Sequence, residues 1–548
     1  MEKAYHSKLH YELNKEVTIE SLIPENEKYH FIAAEVGGRL RELTYKVKGP
    51  ADITLLPLKN QIEAQNIYKN SLLYMLAMVM KKRFPHTGFT FENDVSRSVY
   101  VSPKEKGRTV TPTELRNIYL DLVRLANEDK PIERKTLSKE EAAKLYTKLG
   151  MKDKTDILTY RPEPNVHLYV SDDYADYYYG KMVPSTGYIK KFNLVGRAPG
   201  FLIQYPRADF EGEIPPFEPE PKYEKTLQEN REWTELTRLD TIAHVNDYLK
   251  TYGSTDFIMM SEAKISNQLS ELGKRIVSSP TPIKVICIAG PSSSSKTTFA
   301  NRLRLELLSR GMFPIRISCD DYYKEKRFLT PLPDGSYDLE TIDAIDVALF
   351  NQQMKELSEG QEVTLPHYNF QTGKREEGRK LRLEPNQPLI VEGIHALNSR
   401  MTESIPSDRK FKVFIAPQAQ VSIDDHNPIS VTDYRLIRRI VRDSKFRNAS
   451  AEETITMWPS VRRGEFNWIY ATQEEADYVF NSFLPYELNV MKKYAMPMLE
   501  KITKDSPTYP TCRRLMLFLK YFLDMDDEEI PDNSLIREFI GGSCFKDV

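Results

Sequence analysis

Gly290 to Thr297 reads GPSSSSKT, which fits the phosphate-loop pattern G-x-x-x-x-G-K-[ST] except that Ser295 replaces the second glycine. The apolar run KVICIA (284–289) precedes it, and a helical repeat of Phe299, Leu303 and Leu307 follows. Strand, loop and helix in that order aim successive backbone N–H groups at one point, where the phosphates of a nucleotide such as ATP would fit. Gly290, Ser292, Ser293, Ser294, Ser295, Lys296, Thr297 and Thr298 are the candidate cofactor-binding residues. Lys296 is also a candidate catalytic cation, and Thr297 a candidate Mg²⁺ ligand. A serine-rich turn capping a helix is the plain alternative. Should Ser295 need positive φ, its side chain costs about 1–2 kcal/mol, or roughly ten-fold in ATP affinity.

Two carboxylates end predicted strands, at the edge where open α/β sheets place ligands. Asp320, in SCDDYY (318–323), is a candidate general base for an attacking hydroxyl, with capping of the next turn as its alternative. Glu392 ends PLIVEG (388–393) and, if buried there, needs a cation, taken here as Mg²⁺; a capping or solvated Glu is the alternative. Farther along, YRLIRRIVRDSKFRN (434–448) spaces Arg435, Arg438, Arg439 and Arg442 three and four apart, so that like charges share one face. Such a face repels itself unless an anion lies opposite, which points to a lid over phosphates rather than a plain surface helix.

The motifs GPSSSSKT, SCDDYY, PHYNF (366–370) and LIVEGI followed by DYRLIRRIVRD stand in one order, and residues 284–502 resemble the uridine kinase and phosphoribulokinase family of P-loop kinases. The resemblance implies a P-loop NTPase-type α/β parallel sheet, with ATP and Mg²⁺ as cofactors. It makes Asp320 the catalytic base, with Thr297, Glu392 and Asp320 as metal ligands. In the lid it implies, Arg438 and Arg442 are catalytic, and Arg439 and Arg447 touch the nucleotide. Tyr337 and Asp338 look like the family's pair for the ribose hydroxyls, and Tyr368 and Phe370 like its base-cupping segment. Arg375 and Arg435 complete the substrate-binding set, and the implied acceptor is a uridine- or cytidine-type nucleoside. Asn369 stands where the family has Asp, and Gly373 where it has a base-reading His. Those departures leave room for another small hydroxylated acceptor such as a sugar phosphate, or for a silent module in a tRNA-related binding protein.

The N-terminal half resembles threonyl-tRNA synthetase: Val17 to Asn60 its TGS domain, and Gln61 to Tyr205, including VPSTGYIKKFNL from Val183, its editing (second additional) domain. The positions of that family's metal-binding editing site fall on Asn70, Tyr74, Tyr178 and Met182, none a good zinc ligand. No zinc and no metal-dependent editing are therefore expected, leaving a scaffold open to RNA, to a small ligand or to the other half. Tyr174, Tyr177, Tyr178 and Tyr179 could stack on bases, although a tyrosine-rich core edge is the better reading.

These residues must be positioned by several units, since 548 residues exceed one core. The expected division is an α+β TGS-like domain (1–60), an α+β editing-like domain (61–215), a helical linker (216–280), the kinase-like α/β domain (281–505) and a helical extension (506–548). The linker begins at the Pro- and Glu-rich FEGEIPPFEPEPKYEK, and in the extension IPDNSLIREFIGGS should pack on the kinase core. A net charge of -2 excludes coating of nucleic acid by bulk charge. Four scattered cysteines, no signal-like start and no long apolar run lead to the expectation of a cytoplasmic protein with no membrane partner. Homo-oligomerisation is compatible with the resemblance.

Overall fold

The computed structural model describes residues 7–329, 331, 337–369 and 372–546. Its C-terminal half is built on five parallel strands in the order Ile315–Ser318, Leu389–Glu392, Val285–Ala289, Lys410–Ala416, Tyr478–Asn481. Alternate residues of the central strand enter two different cores, Ile286 and Ile288 one, Val285, Cys287 and Ala289 the other. That is why the sequence reads as an unbroken apolar run rather than an alternating one. The helix Lys296–Ser309 leaves the central strand through the loop and buries Phe299, Leu303 and Leu307 in the first core.

The stretch expected to be a linker is a layer of the same body. Helix Pro221–Thr237 and the helical segment Ile242–Val277, broken by a kink at Gly253, occupy it, and Phe257, Ile258, Ile265, Leu269, Leu272 and Ile276 join the cluster that holds Phe299, Leu303 and Leu307. The extension packs there too, through helix Tyr509–Leu519 and through Leu535, Ile536, Phe539 and Ile540. Helical periodicity located these elements, but their apolar residues are packed into the body, Leu269 and Leu272 against helix Lys296–Ser309, Leu227 with Val95, Tyr100 and Leu202, and Leu515 in the first core, rather than left as a spacer.

The N-terminal half has an antiparallel four-stranded sheet, Lys8–Tyr11, Ala51–Pro57, Phe31–Val36, Arg39–Arg41, and then helix Ile62–Arg83. Three-stranded (Tyr174–Asp176, Asn165–Ser171, Glu133–Ser138), four-stranded (Asn193–Arg197, Gly200–Gln204, Val99–Pro103, Phe89–Asn93) and two-stranded (Val17–Thr18, Lys46–Val47) antiparallel sheets accompany it. Among the described residues no helix is long and apolar enough to cross a membrane.

The two halves meet at the segment between strand Lys410–Ala416 and helix Val431–Phe446. Lys154 donates to Asp424 at 2.8 Å and pairs with Asp176 at 3.0 Å, all three fully buried. His426 Nδ1 bonds Asp176 at 2.7 Å, and the Asn427 amide donates to the Tyr177 carbonyl at 3.0 Å. Charges so buried are tolerated only because each is paired and hydrogen-bonded.

Candidate active site

The loop 290–295 is shaped by backbone constraints. A Cβ on Gly290 would lie 2.0 Å from the Ile415 carbonyl oxygen, so the central strand must hand over to the loop through glycine. Ser295 has φ +70° and Ser293 φ +61°, so the loop bears the left-handed strain foreseen for Ser295 at two positions. Lys296 Nζ donates to the carbonyls of Gly290 and Pro291, each at 3.1 Å. The hydroxyls of Ser293 and Ser294 are buried with no hydrogen-bond partner, which fits a loop shaped to receive an anion. Thr298, by contrast, gives both its N–H and its hydroxyl to Glu538 Oε2, each at 3.1 Å.

Asp320 is the second residue of the turn Cys319–Tyr322, and Ser318 caps that turn, accepting from the Asp320 N–H at 3.3 Å. The Asp320 carboxylate is thus spared the capping role and its charge acts on Lys296. Burial pulls the Lys296 ammonium below its ordinary range, while Glu392, Asp320 and Glu538 push it back up. Burial also raises the Asp320 carboxyl, against the opposing pull of Lys296 and Arg447. Glu392 is buried as expected, but the cation beside it is Arg316, whose Nη1 donates to Oε1 at 3.0 Å. The solvated alternative is excluded by that burial. Mg²⁺ is therefore not needed to make Glu392 tolerable, although Thr297, Asp320 and Glu392 remain an oxygen donor set of the kind Mg²⁺ takes.

The arginine helix Val431–Phe446 departs from the expected lid. Arg438 is 0% exposed and is gripped by Glu487 through Nε at 2.5 Å and Nη2 at 2.6 Å. Arg435 is equally buried against Glu465. Both reach the outer side of the loop, Arg438 Nη1 donating to the Ser293 carbonyl at 3.2 Å and Arg435 Nε to the Ser292 carbonyl at 2.9 Å. The anions demanded by the like-charged face are Glu465, Glu487 and Asp443, supplied by the chain itself. Leu436, Ile437, Ile440 and Val441 fix the helix in the core, so it is a strut and not a lid. Catalytic contact by Arg438 and substrate contact by Arg435 are corrected accordingly. Ser292 is corrected too, because its N–H donates to Glu465 Oε1 at 3.0 Å and its hydroxyl accepts from Arg439 at 2.7 Å. Arg442 and Arg447 pair with Asp443, and their charges also reach Asp320.

The acceptor side is only partly assembled from the expected residues. Tyr368 is 4% exposed and packs its ring 5.5 Å from that of Tyr323. Arg375 donates to Asp346 at 2.8 Å. Burial of Tyr368 and pairing of Arg375 argue against both as open ligand contacts, while Phe370 lies outside the described residues. Tyr337 is 37% exposed, and Asp338 Oδ1 accepts from the Glu340 N–H at 3.0 Å. Glu340 itself escaped sequence reasoning. Burial raises its carboxyl to about 7, with Glu465 adding to the shift and Arg439 and Lys296 opposing it. Only its place two residues after Asp338 could have signalled this.

In the N-terminal half Asn70, Tyr74, Tyr178 and Met182 do come together. The Tyr74 and Tyr178 rings stand 5.8 Å apart, Asn70 donates to the Tyr179 carbonyl at 2.9 Å, and Met182 sulfur accepts from Ser71 at 3.4 Å. His426 of the other half stacks on Tyr178 with ring centroids 6.4 Å apart. Tyr174 and Tyr178 are buried, which makes the tyrosine cluster a core edge rather than a base-stacking platform.

The profile of the Phosphoribulokinase / Uridine kinase family matches residues 285–487. A uridine kinase of Borrelia duttonii (strain Ly) is 31% identical over 205 residues, 36% of this chain and 85% of that protein. A threonine–tRNA ligase of Carboxydothermus hydrogenoformans is 28% identical over 170 residues, 30% of this chain but 26% of the ligase, so most of the ligase has no counterpart here. A solved structure described as a possible uridine kinase from Bacillus stearothermophilus aligns with 40% of this chain and 100% of its own at 19% identity and a TM-score of 0.26.

Proposed function

Because the chain belongs to the Phosphoribulokinase / Uridine kinase family, its N-terminal half matching threonine–tRNA ligases, we propose that it transfers the γ-phosphate of ATP to the 5′-hydroxyl of a uridine- or cytidine-type nucleoside. One observation carries this reading: the strained loop 290–295 holds the Lys296 ammonium on the Gly290 and Pro291 carbonyls, where the charges of Glu392 and Asp320 act on it. Phosphoryl transfer asks little covalent help of a protein and much positioning. The amides and lysine of the loop hold the phosphate tail. Asp320, its carboxyl raised by burial, is a stronger base than an exposed aspartate and takes the proton of the acceptor hydroxyl while orienting it. Arg442 and Arg447 add positive charge toward that carboxylate. Thr297, Asp320 and Glu392 are the residues that would hold Mg²⁺, which when bound would neutralise phosphate charge.

A second reading, a kinase for another small hydroxylated acceptor such as a sugar phosphate, is favoured by the burial of Tyr368, which removes an expected cup for the base. ADP release measured with Mg²⁺, ATP and a panel of nucleosides and sugar phosphates separates the two. Turnover with uridine or cytidine alone supports the first, and turnover only with a sugar phosphate replaces it with the second. No ADP release with any acceptor leaves the chain a silent P-loop module.

A further inference from the structure

Thr298 is the third residue of helix Lys296–Ser309, in which the first internal bond runs from the Phe299 N–H to the Ser295 carbonyl at 3.0 Å. Its N–H therefore belongs to the open first turn, among the amides that in a phosphate loop cradle the donor. Glu538 accepts from that N–H and from the Thr298 hydroxyl. It comes from outside the family match of residues 285–487.

The Glu538 backbone is fixed. Phe539 and Ile540 are buried in the core, the Ile540 carbonyl accepts from Lys445, and Gly541 at φ +82° ends the turn. From this anchor the carboxylate reaches a site whose other acids are Glu392 and Asp320, and its charge acts on Lys296. A carboxylate oxygen and a phosphate oxygen are acceptors of the same kind for the same N–H, and they repel each other. Both cannot occupy it.

Resting on the kinase reading above, we propose that Glu538 sets the affinity for the phosphate donor by competing with its phosphate tail for the Thr298 amide and hydroxyl, and that the side chain must turn away before the donor seats. The flexible glutamate stem allows that rotation while the anchored backbone stays in place. The loop's unpartnered Ser293 and Ser294 hydroxyls remain for the anion to meet.

The test measures binding of a fluorescent, non-hydrolysable ATP analogue with Mg²⁺ to the full-length protein, to E538Q and to E538A, with K296A as a control. Melting of each nucleotide-free protein reports that it is folded. Removing the competing charge should tighten binding about ten-fold in both variants, while nucleotide-free E538A melts lower because the Thr298 N–H loses its acceptor. E538Q keeps an acceptor oxygen without the charge, so it should gain affinity with less loss of stability. Binding by E538Q and E538A no tighter than wild type would overturn the proposal and leave Glu538 a remote helix cap, with the kinase reading intact. If neither wild type nor either variant binds the analogue, the proposal and the kinase reading fall together.

Discussion

Lys296 and Asp320 are the residues on which the chemistry turns, and their substitution should separate function from stability. Lys296→Ala should cost about 10²–10³-fold in turnover, since it removes a charge held where the phosphoryl group develops its own. Asp320→Asn should cost about 10²–10⁴-fold by removing the base, with circular dichroism unchanged in both. Ser295→Gly should raise stability by at most about 1 kcal/mol, because relief at φ +70° is partly offset by the flexibility of glycine; a lower midpoint in urea would contradict the strain. The loop, Asp320 and Glu392 were legible in the sequence because strand, loop and helix are contiguous there. Glu340 and Glu538 were not, since their placement depends on contacts with chain far away, such as Thr298 meeting a carboxylate 240 residues on. The partner Arg316 beside Glu392 was not legible for the same reason: it lies one strand away.

Among the elements, the arginine helix shows how a charge pattern can be read correctly and its partner wrongly. Its spacing demanded anions, and Glu487 and Glu465 arrive from segments later in the chain. The strut account makes opposite demands on two of its arginines. Glu487→Gln leaves Arg438 buried without its counter-charge and should cost about 3–5 kcal/mol in unfolding free energy. Arg442→Ala should change stability far less yet slow turnover, because its charge acts on the Asp320 carboxyl. Equal destabilisation by the two would remove the distinction. The helices at Pro221–Thr237 and Ile242–Val277 carry the same lesson: periodicity fixed their existence, but only packing revealed that they complete the kinase body.

At the scale of the whole molecule, the halves are joined by buried charge, and this makes the junction sensitive to pH. Burial disfavours the His426 imidazolium, but Asp176 outweighs it and holds the His426 pKa above its ordinary 6.5. Lys154 opposes that charge and Asp153 supports it. A histidine raised in this way stabilises fully below about pH 6.5, the unfolded value, and the contribution fades as pH climbs through the folded value. Melting temperature should therefore decline from pH 6.5 upward, and His426→Gln should flatten that slope; an identical slope in the variant would exclude the pair as its source. The fusion was legible from motifs in each half, whereas the junction was not, because neither family's pattern describes the other's surface. The central claim, that residues 290–298 close on a donor's phosphates, is tested most directly by a crystal structure with Mg²⁺ and a non-hydrolysable ATP analogue. The account predicts the phosphates on the loop amides beside Lys296, with Glu538 turned off Thr298; an empty loop with Glu538 still bonded there would contradict it.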